Sequence, residues 1–161
     1  MGRKTRQAGL RQLRSGDDEF CYQLHRGALG EYVEAIWGWD EPVQRAYHEK
    51  TFDAARTQII TVDGQDAGVL VVDDTGPDVV LGRIELEPHH QGRGVGAHVV
   101  AALVAEAASR GRGVVLEVLD VNPRARAFYE RLGFRETGRP RPHKIAMRHH
   151  GFSDVVGSPS T

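Results

Sequence analysis

The sequence predicts a mixed α/β (α+β) fold in which a mainly antiparallel, twisted sheet is flanked by helices. Runs rich in β-branched residues alternate with segments whose apolar residues recur at helical spacing. The predicted order, β, α, α, β, β, β, α, β, α, β, β, combines hairpin connections with strand–helix–strand connections. With 161 residues, the chain is long enough for one domain with a sizeable core.

Turn and capping residues mark the boundaries of the predicted elements in the first half of the chain. Ser15 or Asp17 is the expected cap of the first helix, which is broken around Gly38 and Pro42. A hairpin is expected to turn at Asp63–Gly64. In chain order we predict a strand at 10–14, a helix from 17 to that break, a helix over 43–52, a hairpin over 57–74, and a strand over 79–88 that is ended by its proline.

The second half of the chain changes to helical periodicity after Gly94. Gly111 and Gly113 end this helix, and residues 114–119 predict a strand. Asn122–Pro123 combines a capping side chain with proline at the first helical position, so it starts the next helix. Two closing strands are expected within 134–139 and 143–149.

Composition and charge exclude several classes of partner. The chain is 40% hydrophobic and 27% charged, with a net charge of -1, as in ordinary soluble globular proteins. Its arginines are balanced by acids and form no basic stripe interleaved with aromatics, so we expect neither nucleic acid nor a membrane as partner. Because we find no secretory signal and no apolar run near the ~20 residues of a membrane helix, we expect a cytoplasmic protein. The small, polar residues 151–161 are expected to form a flexible tail after a domain of residues 1–150.

Cysteine and histidine, which often carry chemistry, are expected to be structural here. The single cysteine, Cys21, cannot form an internal disulfide, and its predicted helical context favours a buried hydrophobe over a nucleophile. His89–His90 and His149–His150 are adjacent pairs that lack the spacing preferred for zinc ligation. We therefore expect no metal site.

A glycine-rich turn lies between a predicted strand and a predicted helix, in "LEPHHQGRGVGAHVV" at 86–100. Unpaired N–H groups at a helix start carry partial positive charge, and Gly92, Gly94 and Gly96 permit close approach of a ligand. Arg93 adds a full positive charge, so the expected ligand is a phosphate or pyrophosphate. No Lys-Ser/Thr follows, as a Walker loop requires, and a hairpin precedes the turn, unlike in a dinucleotide fold. Taken alone, the turn is equally compatible with a ligand-free connection.

Two motifs together resemble the GNAT N-acetyltransferases. "QGRGVG" at 91–96 matches Q-x-x-G-x-G/A, and "VNPRARAFYERLGF" at 121–134 is similar to the family's later motif at the correct separation. The resemblance covers residues from about 10 to 149 and is specific over about 79–134. It implies a single GNAT-like domain that uses acetyl-CoA as cosubstrate without a metal. It also implies a splay between the fourth and fifth strands where the pantetheine arm enters.

The resemblance assigns the cofactor-binding residues position by position. Backbone amides from Gln91 through Ala97 would bind the pyrophosphate, and the Leu86 N–H would donate to the thioester carbonyl as an oxyanion hole. Asn122 would lie near the pantetheine, although helix capping alone explains it equally well. The assigned residues are Leu86, Gln91, Gly92, Arg93, Gly94, Val95, Gly96, Ala97, Asn122 and Arg124.

Three residues are candidates for the chemistry of transfer. Tyr129 occupies the family's usual general-acid position, from which its hydroxyl would protonate the departing thiolate. Glu85 is the first candidate for the base that deprotonates the acceptor amine, and a solvent-facing carboxylate paired with Arg83 is the alternative. His143 opens the last strand, where structural and functional interpretations are balanced.

The break between the first two helices is the expected wall of the acceptor pocket. Aromatic rings beside carboxylates suit a cationic amine through cation–π attraction and charge pairing. The alternative is that the tryptophans fill the core and the acids cap the next helix. The candidate substrate-binding residues are Tyr32, Trp37, Trp39, Asp40 and Glu41.

The resemblance therefore implies an enzyme that moves an acetyl group from acetyl-CoA to a primary amine of a small molecule or peptide. Attack would be direct, in a ternary complex. The alternative is a non-catalytic acyl-CoA-binding sensor or interaction module, which would bind acetyl-CoA and release no thiol. A homodimer through the last strands is suggested by analogy only.

Overall fold

The computed structural model describes residues 7–151, and its elements follow the predicted order. The elements are β1 Ala8–Gln12, α1 Asp17–Trp37, α2 Glu41–Thr51, β2 Thr57–Val62, β3 Gln65–Asp73, β4 Val79–Leu86, α3 Val95–Ser109, β5 Val114–Leu119, α4 Pro123–Arg131, β6 Arg135–Gly138 and β7 Lys144–His149. Short 3-10 helices occupy Ala54–Arg56 and Pro88–His90.

None of the helices within residues 7–151 is long and apolar enough to span a membrane. The tail predicted at 151–161 lies outside the described residues except for Gly151.

The seven strands within residues 7–151 form one sheet in the order β1-β2-β3-β4-β5-β7-β6. The ladders β1–β2, β2–β3, β5–β7 and β6–β7 are antiparallel. The β4–β5 ladder is parallel, with Val79 opposite Val114 and Val80 opposite Val115. Parallel neighbours need a long crossover, and α3 provides it. The predicted mixed, mainly antiparallel sheet with helices on it is therefore confirmed.

Contacts divide the described chain into two compact units, the first made of residues 7–71 and 83–96 and the second of 72–82 and 97–151. In the first unit, α1 packs on the hairpin. Its core joins Cys21 and Leu24 of α1 to Ile59 of β2 and Val69 of β3, all buried. The apolar stripe of α1 packs against the inward face of the β2–β3 hairpin, which is rich in β-branched residues.

The second unit has its own core on β5 and β7. Leu116, Ile145 and Met147 are buried, and Phe134 is fully buried at the end of α4. The Phe134 ring meets the His149 ring edge-on, with centroids 5.3 Å apart. Alternation along β7 buries every second residue, as expected for a strand covered on one face.

The start of the chain corrects two predictions. β1 covers Ala8–Gln12, two residues earlier than predicted. The cap of α1 is Gly16, at φ 94, with no side-chain hydrogen bond, whereas Asp17 is the first helical residue. The Asp17 carboxylate is unavailable for capping because it accepts from the Arg14 N–H at 2.6 Å and from Arg11. The predicted break is confirmed at Gly38, where α1 ends at φ 79, whereas Pro42 lies in the first turn of α2, which starts two residues earlier than predicted.

Arg11 connects three elements of the first unit through charge-assisted hydrogen bonds. Its two terminal nitrogens donate to the Asp17 carboxylate of α1 at 2.9 and 3.0 Å. Its Nε and Nη2 donate to Asp66 of β3 at 2.9 and 2.8 Å. Hydrogen bonding from Arg11 lowers the pKa of Asp17, with the N–H of Arg14 contributing in the same direction.

Asp17→Asn should reduce the free energy of unfolding by about 1.5–3 kcal/mol near neutral pH, because it removes charged hydrogen bonds that are largely shielded from water. A carboxyl with a lowered pKa in the folded state stabilises the fold above its unfolded pKa of about 4, and that stabilisation is lost as pH falls further. Urea unfolding at neutral and acidic pH should therefore show the difference between variant and wild type shrinking in acid. Glu31→Gln, which changes an exposed carboxylate of α1, is the control; an equal difference at both pH values would contradict the assignment.

Cys21 is fully buried, and burial raises the pKa of its thiol to about 11. Because the thiolate is the reactive form, the native protein should label slowly with iodoacetamide near neutral pH. As Cys21 is the only cysteine, the labelling stoichiometry by mass spectrometry measures this site alone. Protein unfolded in urea should label fully and serves as the control. Rapid labelling of the native protein would show that the thiol is accessible.

Candidate functional site

The loop before α3 is shaped by two glycines in left-handed conformations. Gly92 has φ 71 and Gly94 has φ 81. A Cβ at either position would meet no protein atom within 4 Å, so the backbone angle requires glycine here, and space lies open beside the loop. α3 starts at Val95, and the first N–H groups of a helix have no intrahelical acceptor. Left-handed residues before a helix aim such N–H groups into an anion-binding concavity.

Gln91 anchors the loop to the end of β4. Its side-chain Nε2 donates to the Leu86 carbonyl at 2.9 Å. Its own N–H donates to the Pro88 carbonyl at 3.1 Å. The Gln91 N–H is thus engaged within the loop and its side chain positions the loop, whereas the binding of an anion by the Gln91 amide stays a prediction. Arg93 is exposed in the same loop, and Gly96 and Ala97 lie in the first turn of α3.

A glycine of β3 fixes the backbone that precedes the loop. A Cβ at Gly68 would lie 2.2 Å from the Glu85 carbonyl oxygen and 3.1 Å from the Leu86 Cα. The register between β2 and β3 also shifts beside this residue, between Ile60 and Thr61. Sequence reasoning missed Gly68, although a glycine inside a β-branched run is a signal of close backbone approach.

Glu85 is buried against α1 instead of facing solvent. Its side chain is 4% exposed, and Oε1 accepts a short hydrogen bond from Arg83 Nε. Arg83 also donates to the Cys21 carbonyl at 3.1 Å. The alternative interpretation was thus right about the Arg83 pairing and wrong about solvent exposure. Oε2 lies 3.7 Å from Nδ1 of His25, and both atoms are buried with no hydrogen-bond partner within the described residues.

The candidates of the second unit are held by local contacts. Asn122 caps α4 by accepting from the Ala125 N–H at 3.1 Å, and Arg124 is exposed. The Tyr129 ring is buried and meets Phe128 and Phe134 edge-on, with centroids 5.1 and 5.4 Å away. These contacts fix the direction of the Tyr129 ring.

His143 occupies the turn before β7. It has φ 65, and its Nδ1 lies 3.3 Å from the Asp120 carboxylate. Its carbonyl also accepts from the Asp120 N–H at 2.9 Å. These contacts favour the structural interpretation of His143, and its catalytic role stays a prediction.

Part of the proposed acceptor wall forms a hydrogen-bond network between α1 and α2. Glu41 accepts from Trp39 Nε1 and from the Tyr22 hydroxyl, each at 2.8 Å, which holds its pKa below the usual range. Asp40 caps α2 by accepting from the Val43 N–H at 3.2 Å, as the structural alternative expected. Trp37 is 59% exposed, and Tyr32 is partly buried in α1.

Three possible metal-ligand atoms gather beside the loop. Glu87, His89 and His90 each offer one atom, and these atoms lie within 4.8 Å of one another. Zinc accepts both histidine nitrogens and carboxylate oxygens as ligands. The expectation of no metal relied on histidine spacing, which does not include the neighbouring carboxylate, and it stays a prediction.

Comparison with known proteins identifies the family. Residues 19–134 match the model of the acetyltransferase (GNAT) family. Among solved structures, the PaiA N-acetyltransferase of Thermoplasma acidophilum in complex with coenzyme A has 14% identity and a TM-score of 0.71, covering 89% of this chain and 99% of its own. The ribosomal-protein-S18-alanine N-acetyltransferase of Escherichia coli has 21% identity and a TM-score of 0.63, covering 96% and 99%.

An acetyltransferase of Thermus thermophilus is also similar, with 19% identity and a TM-score of 0.66, covering 88% of this chain and 96% of its own. At such identities the neighbours establish the fold alone. The family match spans α1 through α4 and includes both sequence motifs, and the sheet has the mixed order that these motifs predicted. This chain belongs to the acetyltransferase (GNAT) family.

Proposed function

We propose that the protein transfers an acetyl group from acetyl-CoA to a primary amine of a small molecule or peptide, by direct attack in a ternary complex. The observation that carries the proposal is the loop at Gly92–Gly96, in a chain of this family. Its glycine angles, its open space and the adjoining start of α3 fit a diphosphate, and the exposed Arg93 adds positive charge. The Thermoplasma neighbour was solved with coenzyme A, which is consistent with this ligand.

Acetyl-CoA would supply the activated acetyl group, and the residues of this chain would bind and orient it. Gln91 holds the loop against the Leu86 carbonyl, so the loop and the end of β4 keep one geometry. The Leu86 N–H is the proposed oxyanion donor, and such a donor typically contributes about 10²–10³-fold in rate. Asn122 and Arg124 are the proposed contacts for the pantetheine and phosphates.

Proton transfers are assigned to side chains whose positions are fixed. Tyr129 is the proposed donor to the departing thiolate, because edge-on packing by Phe128 and Phe134 holds its ring. Glu85 is the proposed residue through which the acceptor ammonium loses its proton. Its Oε1 is paired with Arg83. Since Oε2 is buried, Glu85 needs an intermediary to reach that proton.

The acceptor is proposed to be cationic before it reacts. The exposed ring of Trp37 and the exposed carboxylate of Asp40 suit an ammonium group. The Escherichia coli neighbour is named for an N-terminal alanine, so a peptide N-terminus belongs among the acceptors to test, with polyamines and amino sugars.

A second candidate function is an acyl-CoA-binding sensor without catalysis. The burial of Glu85 Oε2 favours it, because a base that cannot reach an acceptor cannot act. A thiol-release assay with acetyl-CoA and spermidine, glucosamine or an alanine-initiated peptide separates the two. A sensor binds acetyl-CoA and releases no thiol above the background without amine.

Gly94→Val should weaken acetyl-CoA binding at least 10-fold in calorimetry, because a β-branched residue at φ 81 forces the loop out of shape at a cost of about 1–3 kcal/mol. Gly111→Val is the matched control, since Gly111 has φ 70 and equally open surroundings but lies beyond the end of α3. The control should bind normally at a similar loss of stability. Unchanged uptake by Gly94→Val would refute the proposed cofactor site.

Gly68→Ala should lower kcat about 10²-fold, because the added methyl displaces the backbone of Glu85 and of Leu86, the proposed oxyanion donor. Acetyl-CoA binding should change less, since the added methyl meets Glu85 and Leu86 and no residue of Gly92–Gly96. Steady-state kinetics, with thermal melting to check the fold, measure the effect. Gly138→Ala in β6 meets no neighbouring atom and is the control. A normal kcat in Gly68→Ala would remove the end of β4 from the mechanism.

A further inference from the structure

Two residue pairs face each other where α1 lies on β4 in the first unit. Cys21 and His25 are one turn apart on α1, and Arg83 and Glu85 alternate with Ile84 on β4. Arg83 Nη2 donates to the Cys21 carbonyl at 3.1 Å, which fixes the guanidinium over α1. The same guanidinium holds Oε1 of Glu85. His25 therefore lies opposite Oε2 of Glu85, the carboxylate oxygen that Arg83 does not bind.

The facing atoms of His25 and Glu85 lie close together but do not form a hydrogen bond. Nδ1 and Oε2 are both buried, have no hydrogen-bond partner among the described residues, and stand 3.7 Å apart. A buried polar atom left without a partner costs about 1–3 kcal/mol. A small movement closes this gap, and catalytic hydrogen bonds are often long before substrate binds.

Exposure distinguishes the two side chains. The Glu85 side chain is 4% exposed and that of His25 is 13% exposed. Nδ1 of His25 is buried, whereas Nε2 is not among the buried side-chain atoms without a hydrogen-bond partner. The carboxylate thus lies behind the ring, and the ring is the part of the pair that a reactant can reach.

We propose that His25 is the group that removes the proton from the acceptor ammonium, and that Glu85 is a positioning residue that acts through it. This inference rests on the proposed acetyl transfer. Glu85 would accept a hydrogen bond from Nδ1–H of His25, which leaves the lone pair on Nε2 available as a base. A buried carboxylate behind a histidine fixes the tautomer and stabilises the imidazolium that forms.

The proton transfer balances without another reactant. An N–H bond of the ammonium breaks, and an N–H bond forms at Nε2 of His25. The amine keeps the electron pair of the broken bond and becomes nucleophilic, while the neutral imidazole becomes imidazolium. The imidazolium pairs with the Glu85 carboxylate and later releases its proton to water.

The tautomer of His25 provides a test that needs no acetyl-CoA. Nitrogen-15 NMR of histidine-labelled protein, above the pH at which the ring is protonated, reports which nitrogen carries the proton. The proposal requires Nδ1–H, whereas neutral histidine otherwise uses either nitrogen according to its hydrogen bonds. Finding the proton on Nε2 would overturn the assignment of His25 as the base.

Kinetics of four variants test the roles. His25→Gln should lower kcat about 10²-fold or more with KM little changed, because a general base contributes about 10²–10⁴-fold. His25→Asn is a second variant in case the first is unstable. Glu85→Gln should cost less than His25→Gln, and the double variant should be no slower than His25→Gln alone, because Glu85 acts through the imidazole.

The matched control is His48→Gln, which changes another buried histidine of the first unit. Its Nε2 lies 2.6 Å from Asp18 and not beside Glu85. Rates are measured with acetyl-CoA and whichever of spermidine, glucosamine or the alanine-initiated peptide is acetylated fastest, and thermal melting checks each fold. His48→Gln should retain kcat within a few-fold.

The outcomes separate this inference from the function on which it rests. If wild-type protein releases no thiol with any of the three amines, the proposed transfer fails and the role of His25 fails with it. If transfer is observed but Glu85→Gln is slower than His25→Gln, or the two losses multiply in the double variant, the acetyltransferase stands and His25 is not its base.

Discussion

The backbone between Leu86 and Gly96 is the constraint on which the proposed chemistry depends. Its start is fixed by β3, where Gly68 allows contact too close for any Cβ. Its middle is fixed by Gln91, whose side chain returns to the Leu86 carbonyl, and its end by the angle of Gly94. Since an anion held here would be bound by main-chain N–H groups, the site depends on local conformation more than on side-chain identity. Neighbours with 14–21% identity can therefore share this fold while most side chains differ.

The side chains of β4, as well as its backbone, enter the proposed chemistry. Alternation along β4 sends Arg83 and Glu85 to the face covered by α1. An ionised carboxylate shielded from water is destabilising unless it is paired, and Arg83 offsets that cost at one oxygen only. The second oxygen of Glu85 is buried without a hydrogen-bond partner among the described residues and faces His25 at 3.7 Å, and the proposed role of His25 rests on this observation.

Local sequence signals predicted the elements well, and long-range contacts account for what they missed. The Asp63–Gly64 turn and the Asn122 cap appear as predicted, because each depends on residues only a few positions apart. The cap of α1 was mispredicted because Arg11, on a strand, takes the Asp17 carboxylate. The positions of His25 and Gly68 beside Glu85 were not predicted, because they depend on which helix face and which strand pack there, and periodicity alone does not specify such pairing.

Only some side chains of the proposed acceptor wall are available to bind a cationic acceptor. Both oxygens of Glu41 accept hydrogen bonds from Trp39 and Tyr22. The cationic side chains of Arg45 and Arg26 also lie 3.3 and 3.8 Å from these oxygens, so the charge of Glu41 is partly offset before any ligand arrives. An ammonium that paired with Glu41 would therefore compete with these two arginines, and the exchange would yield little net free energy. Trp37 presents an exposed ring, and Asp40 an exposed carboxylate that uses one oxygen to cap α2. Selection of a cationic acceptor at this proposed wall would therefore depend on a ring face and one carboxylate, which would favour a single compact ammonium over an extended array of charges.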